Sequence, residues 1–140
     1  MRIPQVTISV MSLLLTAMGC QCLGINCRGS GLCDGFINTS INGYEADTLT
    51  KWINGIDPNR WYNNGQQIAC FESSHICAFL QNTGGAWGSK IKQLAHYIPD
   101  HNCKVCGSVP YYFPEGNNNV ADGMLTYNYV TNACGHGLCA

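Results

Sequence analysis

Charge is scarce in this chain. Lys and Arg number 7 and Asp and Glu 8 among 140 residues, and the net charge is −1. Beyond residue 22, six basic residues face eight acidic ones, about −2 at neutral pH by simple counting. That balance excludes a nucleic-acid binder, which must neutralise phosphates. It also excludes a cationic membrane-lysing peptide, which would carry an excess of Lys and Arg on an amphipathic face. Long hydrophobic runs are lacking as well. The uncharged stretch from Val6 to Met18 is too short to span a bilayer. Internal repeats and linkers are absent, so the chain is expected to form one domain. In place of charge, the polar surface comes from Asn, Gly, Ser and Thr, a composition suited to an extracellular fold with many turns.

What the chain does have is cysteine, ten in all. Arg2 followed by the apolar run Val6 to Met18 reads as a secretory signal. Small residues at the last and third-last positions of a signal allow cleavage after Cys22 (with Cys20) or after Gly19 (with Ala17). The expectation is a signal over residues 1–22, cleavage after Cys22 and a domain over 23–140, secreted to the extracellular space. Eight cysteines then remain: Cys27, Cys33, Cys70, Cys77, Cys103, Cys106, Cys134 and Cys139. In an oxidising compartment they pair into crosslinks, and a chain of this size gains much of its stability from them.

Two stretches carry helical periodicity. Glu45 to Ile56 places Leu49, Trp52, Ile53 and Ile56 on one stripe, with Asn42 and Glu45 spaced as a capping box and Pro58 as the stop. Lys90 to Ile98 places Ile91, Leu94, Ala95 and Ile98 together, with Ser89 as N-cap and Pro99 as the stop. Gln67 to Phe71 and Ile76 to Gln81 read as a hairpin closed by a four-residue turn, Glu72 to His75. Further strands are expected at Lys104 to Val109, at Met124 to Val130, and briefly near Ile25. Leu125, Tyr127 and Tyr129 would lie on one face of the last long strand, and Thr126 and Asn128 on the other. The fold class is α+β, an α/β sandwich in which two helices pack on one face of a mainly antiparallel, disulfide-stabilised sheet.

Three segments carry a resemblance: Leu23 to Ser30, Cys103 to Ser108, and Gly123 to Val130. They look like the opening, the double-cysteine strand and the final strand of the calcium-channel-blocking killer toxins of virus-infected smut fungi and their chromosomally encoded relatives in filamentous fungi. Asp57 to Gly65 resembles the cellular branch. The resemblance implies an antiparallel sheet carrying two helices. It also implies three pairings, Cys27 with Cys103, Cys33 with Cys106 and Cys70 with Cys134, leaving Cys77 for Cys139. Sequence alone allows about a hundred connectivities for eight cysteines. The chain departs from the viral toxin in three ways: Gln66 to Ala69, before Cys70, is not basic; several cysteines are missing between Gly43 and Trp61; and Cys77 and Cys139 are gained.

For function, the resemblance implies a secreted growth inhibitor of competing fungi or plant cells that blocks calcium uptake channels. An exposed Lys or Arg on a rigid scaffold would act at the pore mouth as a surrogate cation. The candidates are Arg28, Arg60, Lys90, Lys92 and Lys104. The alternatives are a secreted effector or cell-surface binding protein without channel activity, and a cell-wall component sharing the fold. Trp61, Tyr62, Tyr111, Tyr112 and Phe113 fall in loops and would either meet a carbohydrate or protein partner or cover the edge of the core. The chain is read as a non-enzyme: His96, Asp100 and His101 cluster without a nucleophile, and Ser30 lacks a nucleophile-elbow pattern. Cys103-x-x-Cys106 with Cys134 to Cys139 superficially resembles a zinc site, but export favours oxidation, so neither metal nor cofactor is expected. Asn38-Thr39-Ser40 is an N-glycosylation sequon. No membrane insertion is expected, and monomer is the default.

Overall fold

The computed structural model describes Arg2, Pro4 and residues 23–140. The rest of the expected signal, and its cleavage position, lie outside the described residues. The elements run α1 (Glu45–Ile53), β1 (Trp61–Tyr62), β2 (Ala69–Phe71), β3 (Ile76–Gln81), β4 (Ala86–Trp87), α2 (Gly88–Ala95), α3 (Tyr97–Asp100), β5 (Gly107–Pro110), β6 (Met124–Tyr129) and β7 (Gly137–Leu138). Five strands form one sheet in the order β5-β6-β3-β2-β7, antiparallel at every junction, while β1 and β4 form a separate two-stranded ribbon. The fold is α+β and disulfide-stabilised.

The β2–β3 hairpin forms because Phe71 pairs with Ile76 across the polar turn Glu72 to His75, and His75 takes the left-handed conformation, φ 58°. Alternation then sorts the central strands. Ile76, Ala78, Leu80, Leu125 and Tyr127 are fully buried and join the main core with Leu49, Ile53, Ile91, Leu94 and Ile98 from the helices. The opposite face holds Cys70 and Cys77, with Phe79 packed against them. Thr126 belongs to that face yet is buried, its hydroxyl accepting from Ser108 Oγ at 2.7 Å.

The α2 start differs from expectation, and α1 keeps only the Glu45 half of the expected capping box. At α1 the N-cap is Tyr44, without a side-chain bond, and Glu45 does the capping alone. Its buried carboxylate accepts backbone N–H groups from Asn42 (2.6 Å), Gly43 (2.8 Å) and Tyr44 (3.0 Å). One carboxylate thus satisfies three donors, so no Asn42 cap is required. At α2 the N-cap is Trp87, not Ser89, and the first two helical N–H groups bond to carbonyls of the loop between α1 and β1: Gly88 to Arg60 at 2.7 Å and Ser89 to Pro58 at 3.0 Å. A Cβ at Gly88 would overlap the Asp57 carbonyl, so this helix start sits against that loop only as glycine. Pro99 does not stop the helix. It lies in the first turn of the short α3, where an N–H has no intrahelical acceptor and its loss costs little.

The expected strand near Ile25 reduces to a single bridge between Asn26 and Ser108. The expected strand at Lys104 to Val109 shifts to Gly107–Pro110, the stretch that pairs with β6.

Cys27 joins Cys103 and Cys33 joins Cys106, two of the three pairs the resemblance implies. The other two are a correction. Cys70 joins Cys77, not Cys134, and Cys134 joins Cys139. The hairpin register sets the first of these: Cys70 and Cys77 are directly opposed, with Cα atoms 4.1 Å apart and side chains on the same face. Cys134 and Cys139, five residues apart, then close a loop within the last segment.

Candidate functional site: exposed cations on a disulfide frame

The N-terminal segment is fixed to the sheet from several directions. Asn26 exchanges two backbone hydrogen bonds with Ser108 (3.0 and 2.8 Å), and the Arg28 N–H donates to Asn26 Oδ1 at 3.0 Å. The Ser30 N–H donates to Asn128 Oδ1 at 2.9 Å. Gly29 passes so close that a Cβ there would stand 2.7 Å from Cys33 Sγ and 2.8 Å from Cys106 Cβ. On the other side of the Cys27–Cys103 bond, the Lys104 carbonyl accepts the Ala46 N–H at the start of α1, at 3.1 Å.

Arg28 and Lys104 each follow one half of that disulfide, whose Cα atoms are 5.0 Å apart. With one 3.8 Å backbone step on either side, their Cα atoms are no more than about 13 Å apart. Both residues are exposed. Two exposed cations therefore flank one disulfide, on backbone held by crosslinks, hydrogen bonds and a glycine contact.

The structure separates these two from the other three candidates, which are half-buried and occupied within the fold. The Arg60 guanidinium lies over the Tyr62 ring at 4.7 Å, and its Nη1 donates to the Cys139 carbonyl at 3.5 Å. Lys90 Nζ lies 5.2 Å from the Tyr111 ring centroid. Lys92 Nζ donates to the Ile56 carbonyl at 3.3 Å, tying α2 to the end of the α1 segment. Such contacts fix a long side chain and screen its charge, which suits packing better than capture of a partner. Sequence reasoning omitted one exposed cation, Lys51 in the last turn of α1. Its position opposite the Leu49–Ile53 stripe was the signal that could have found it.

The aromatic candidates divide too. Tyr62 is buried, and Phe113 is half-buried against Tyr97, ring centroids 4.8 Å apart, so both cover core. Trp61 and Tyr112 are exposed and Tyr111 half-buried. Trp61 meets Trp87 edge to face at 5.1 Å across the β1–β4 ribbon, and its indole N–H donates to Asn63 Oδ1 at 3.1 Å. Trp87 was not among the expected residues; its pairing with Trp61 becomes visible only once the ribbon is known.

His96 and Asp100 form an exposed i, i+4 pair at 2.8 Å, and His101 is exposed nearby. All four cysteines of the zinc-like pattern are held in disulfides, so their sulfurs are not thiolate ligands. The Asn38 amide is engaged: Nδ2 donates to the carbonyls of Leu32 (3.2 Å) and Ser74 (3.0 Å), while Oδ1 accepts the Ser40 N–H at 3.2 Å.

The Kp4 family profile matches residues 10–131. This chain belongs to the Kp4 family. The chain is also 32% identical, over 118 residues, to the KP4 killer toxin of Ustilago maydis P4 virus, an alignment covering 80% of this chain and 83% of the relative. It is thus a killer-toxin-like protein. Among the described residues of this Kp4-family chain, no helix is long and apolar enough to cross a membrane.

Proposed function

We propose that this chain is an exported growth inhibitor that blocks calcium uptake in competing fungi or plant cells, with Arg28 and Lys104 as the cations presented to an acidic channel mouth. The observation that carries the reading is the pairing of these exposed charges on either side of Cys27–Cys103, in a chain of killer-toxin family. A fixed backbone lowers the ordering cost of binding, so a rigid cation pair spends little of its attraction on its own entropy. Four disulfides among the described residues suit export to an oxidising compartment. The activity is binding rather than catalysis, and it needs no cofactor. The test is growth of fungal hyphae and plant roots in purified, oxidised protein with and without added calcium: inhibition relieved by calcium supports the proposal, and inhibition that calcium leaves unchanged contradicts it.

A second reading, a secreted effector acting on a cell-surface molecule other than a channel, is favoured by the segment before Cys70. Gln66 Oε1 accepts the Asn63 N–H at 3.0 Å, Gln67 Nε2 donates to the Asn132 carbonyl at 2.7 Å, and Ile68 and Ala69 are fully buried. This stretch closes a turn and fills core where the viral toxin is basic. Inhibition insensitive to calcium would favour that reading.

A further inference from the structure

The two disulfides that depart from expectation touch each other. Cys70 Sγ lies 3.9 Å from Cys139 Sγ, and the sulfurs of Cys70, Cys134 and Cys139 all lie within 4.8 Å of one another. Cys77 is bonded to Cys70, so four half-cystines share one cluster. Access to it is one-sided. Cys70 and Cys77 are fully buried and Cys139 is nearly so, whereas Cys134 is exposed. Beside Cys134, a Cβ at Gly135 would meet nothing within 4 Å, so the approach is open. Arg60 Nη1 donates to the Cys139 backbone carbonyl at 3.5 Å, which ties the end of this loop to the fold.

We infer that this cluster is a thiol-exchange relay, with Cys134 as the site where an external thiolate enters and Cys139 as the internal nucleophile that passes the exchange to the buried Cys70–Cys77 bond. The external thiolate attacks Cys134 Sγ, forming a mixed disulfide and breaking Cys134–Cys139, whose electron pair leaves on Cys139 Sγ. The Cys139 thiolate attacks Cys70 Sγ, forming Cys70–Cys139 and releasing the Cys77 thiolate. Cys77 then attacks Cys134 of the mixed disulfide, forming Cys77–Cys134 and returning the external thiolate. No net oxidation or reduction occurs, and the thiol is a catalyst. The consequence is mechanical. Before exchange the Cys134–Cys139 loop is crosslinked only to itself; afterwards both its ends are bonded to the central hairpin, one to β2 and one to β3. A thiol met at a target surface would thereby lock the C-terminal segment onto the sheet. The Cys27–Cys103 and Cys33–Cys106 bonds take no part in the cluster.

The experiment incubates the full oxidised protein with 2-mercaptoethanol at a small fraction of the protein concentration, quenches with acid and maps disulfide-linked peptides by mass spectrometry. The relay requires Cys70–Cys139 and Cys77–Cys134 peptides in several-fold excess over the thiol added, with Cys27–Cys103 and Cys33–Cys106 intact. Opening of Cys134–Cys139 without crossed peptides overturns it, as does scrambling that draws in Cys27 or Cys33. The variant Cys134→Ser gives an independent readout, since it leaves Cys139 as the thiolate from the outset. Alkylation divided between Cys139 and Cys77 is the expected result, and alkylation of Cys139 alone overturns the relay.

Discussion

The Tyr127→Phe substitution tests how α1 is fixed to the sheet. Tyr127 is fully buried on β6, and its hydroxyl lies 2.8 Å from Thr50 Oγ1. Thr50 Oγ1 donates its single proton to the Ala46 carbonyl at 2.9 Å, which leaves the phenol as donor to Thr50. Removing the phenol oxygen orphans no donor, so the loss is the net value of one buried hydrogen bond, about 1 kcal/mol. Thr50→Val instead leaves the phenol proton buried without a partner, and costs about 1–3 kcal/mol. The double variant should cost less than the sum, because the orphan created by Thr50→Val disappears with it.

The same pair has a pH signature. Burial drives the Tyr127 phenol well above its ordinary range, with the Thr50 bond pulling weakly the other way. A folded-state value above the unfolded one means that the native state keeps a proton the unfolded chain loses. The stability is therefore fully present below about pH 10 and falls as pH rises further, by up to about 1.4 kcal/mol per unit from this group. Urea unfolding at pH 8, 10 and 11 measures both effects. Tyr127→Phe should be less stable than wild type at pH 8 and lose less between pH 10 and 11. Equal stability at pH 8, or parallel losses from pH 10 to 11, would refute the reasoning.

Three further outcomes are expected. Gly88→Ala drives a Cβ into the Asp57 carbonyl and must displace the loop that satisfies the first turn of α2; a loss of about 1–3 kcal/mol in denaturant unfolding is expected, and an unchanged midpoint would mean the loop yields freely. Glu45→Gln leaves one oxygen to accept from three N–H groups and should cost about 1–3 kcal/mol, with weakened hydrogen-exchange protection at the start of α1 as the local readout. Enzymatic deglycosylation of the secreted protein should leave its mass unchanged, because the nitrogen a glycan would join already donates to two carbonyls. A mass drop would show that the loop around Asn38 forms differently when the glycan is added.

Legibility in the sequence followed the length of each element. Ile76–Gln81 and its turn match expectation, as does Met124–Tyr129 to within one residue, because six alternating residues between polar breaks leave one solution. Both main helices were visible from their stripes, but not their ends. Gly88 meets the backbone of Asp57 to Arg60, which only the tertiary fold supplies, and a capping pattern cannot register that; the Glu45 contacts are local, and the Asn42–Glu45 spacing did register one of them. Trp61–Tyr62 and Ala86–Trp87 were invisible as strands, since two residues carry no periodicity. The Cys70 partner was misassigned by resemblance, although the hairpin register that opposes Cys77 to it was already readable. Of five candidate cations, Arg28 and Lys104 were found beside three whose heads are bound internally. Spacing cannot distinguish a lysine over Tyr111 from one in water.

Calcium influx into sensitive hyphae, measured with and without the purified protein, tests the central claim most directly when wild type is compared with a folded Arg28→Ala/Lys104→Ala variant. The account predicts that wild type suppresses influx, that the variant loses most of that suppression, and that the two unfold at the same denaturant concentration. Unaltered influx in wild type, or equal suppression by the variant, would contradict it.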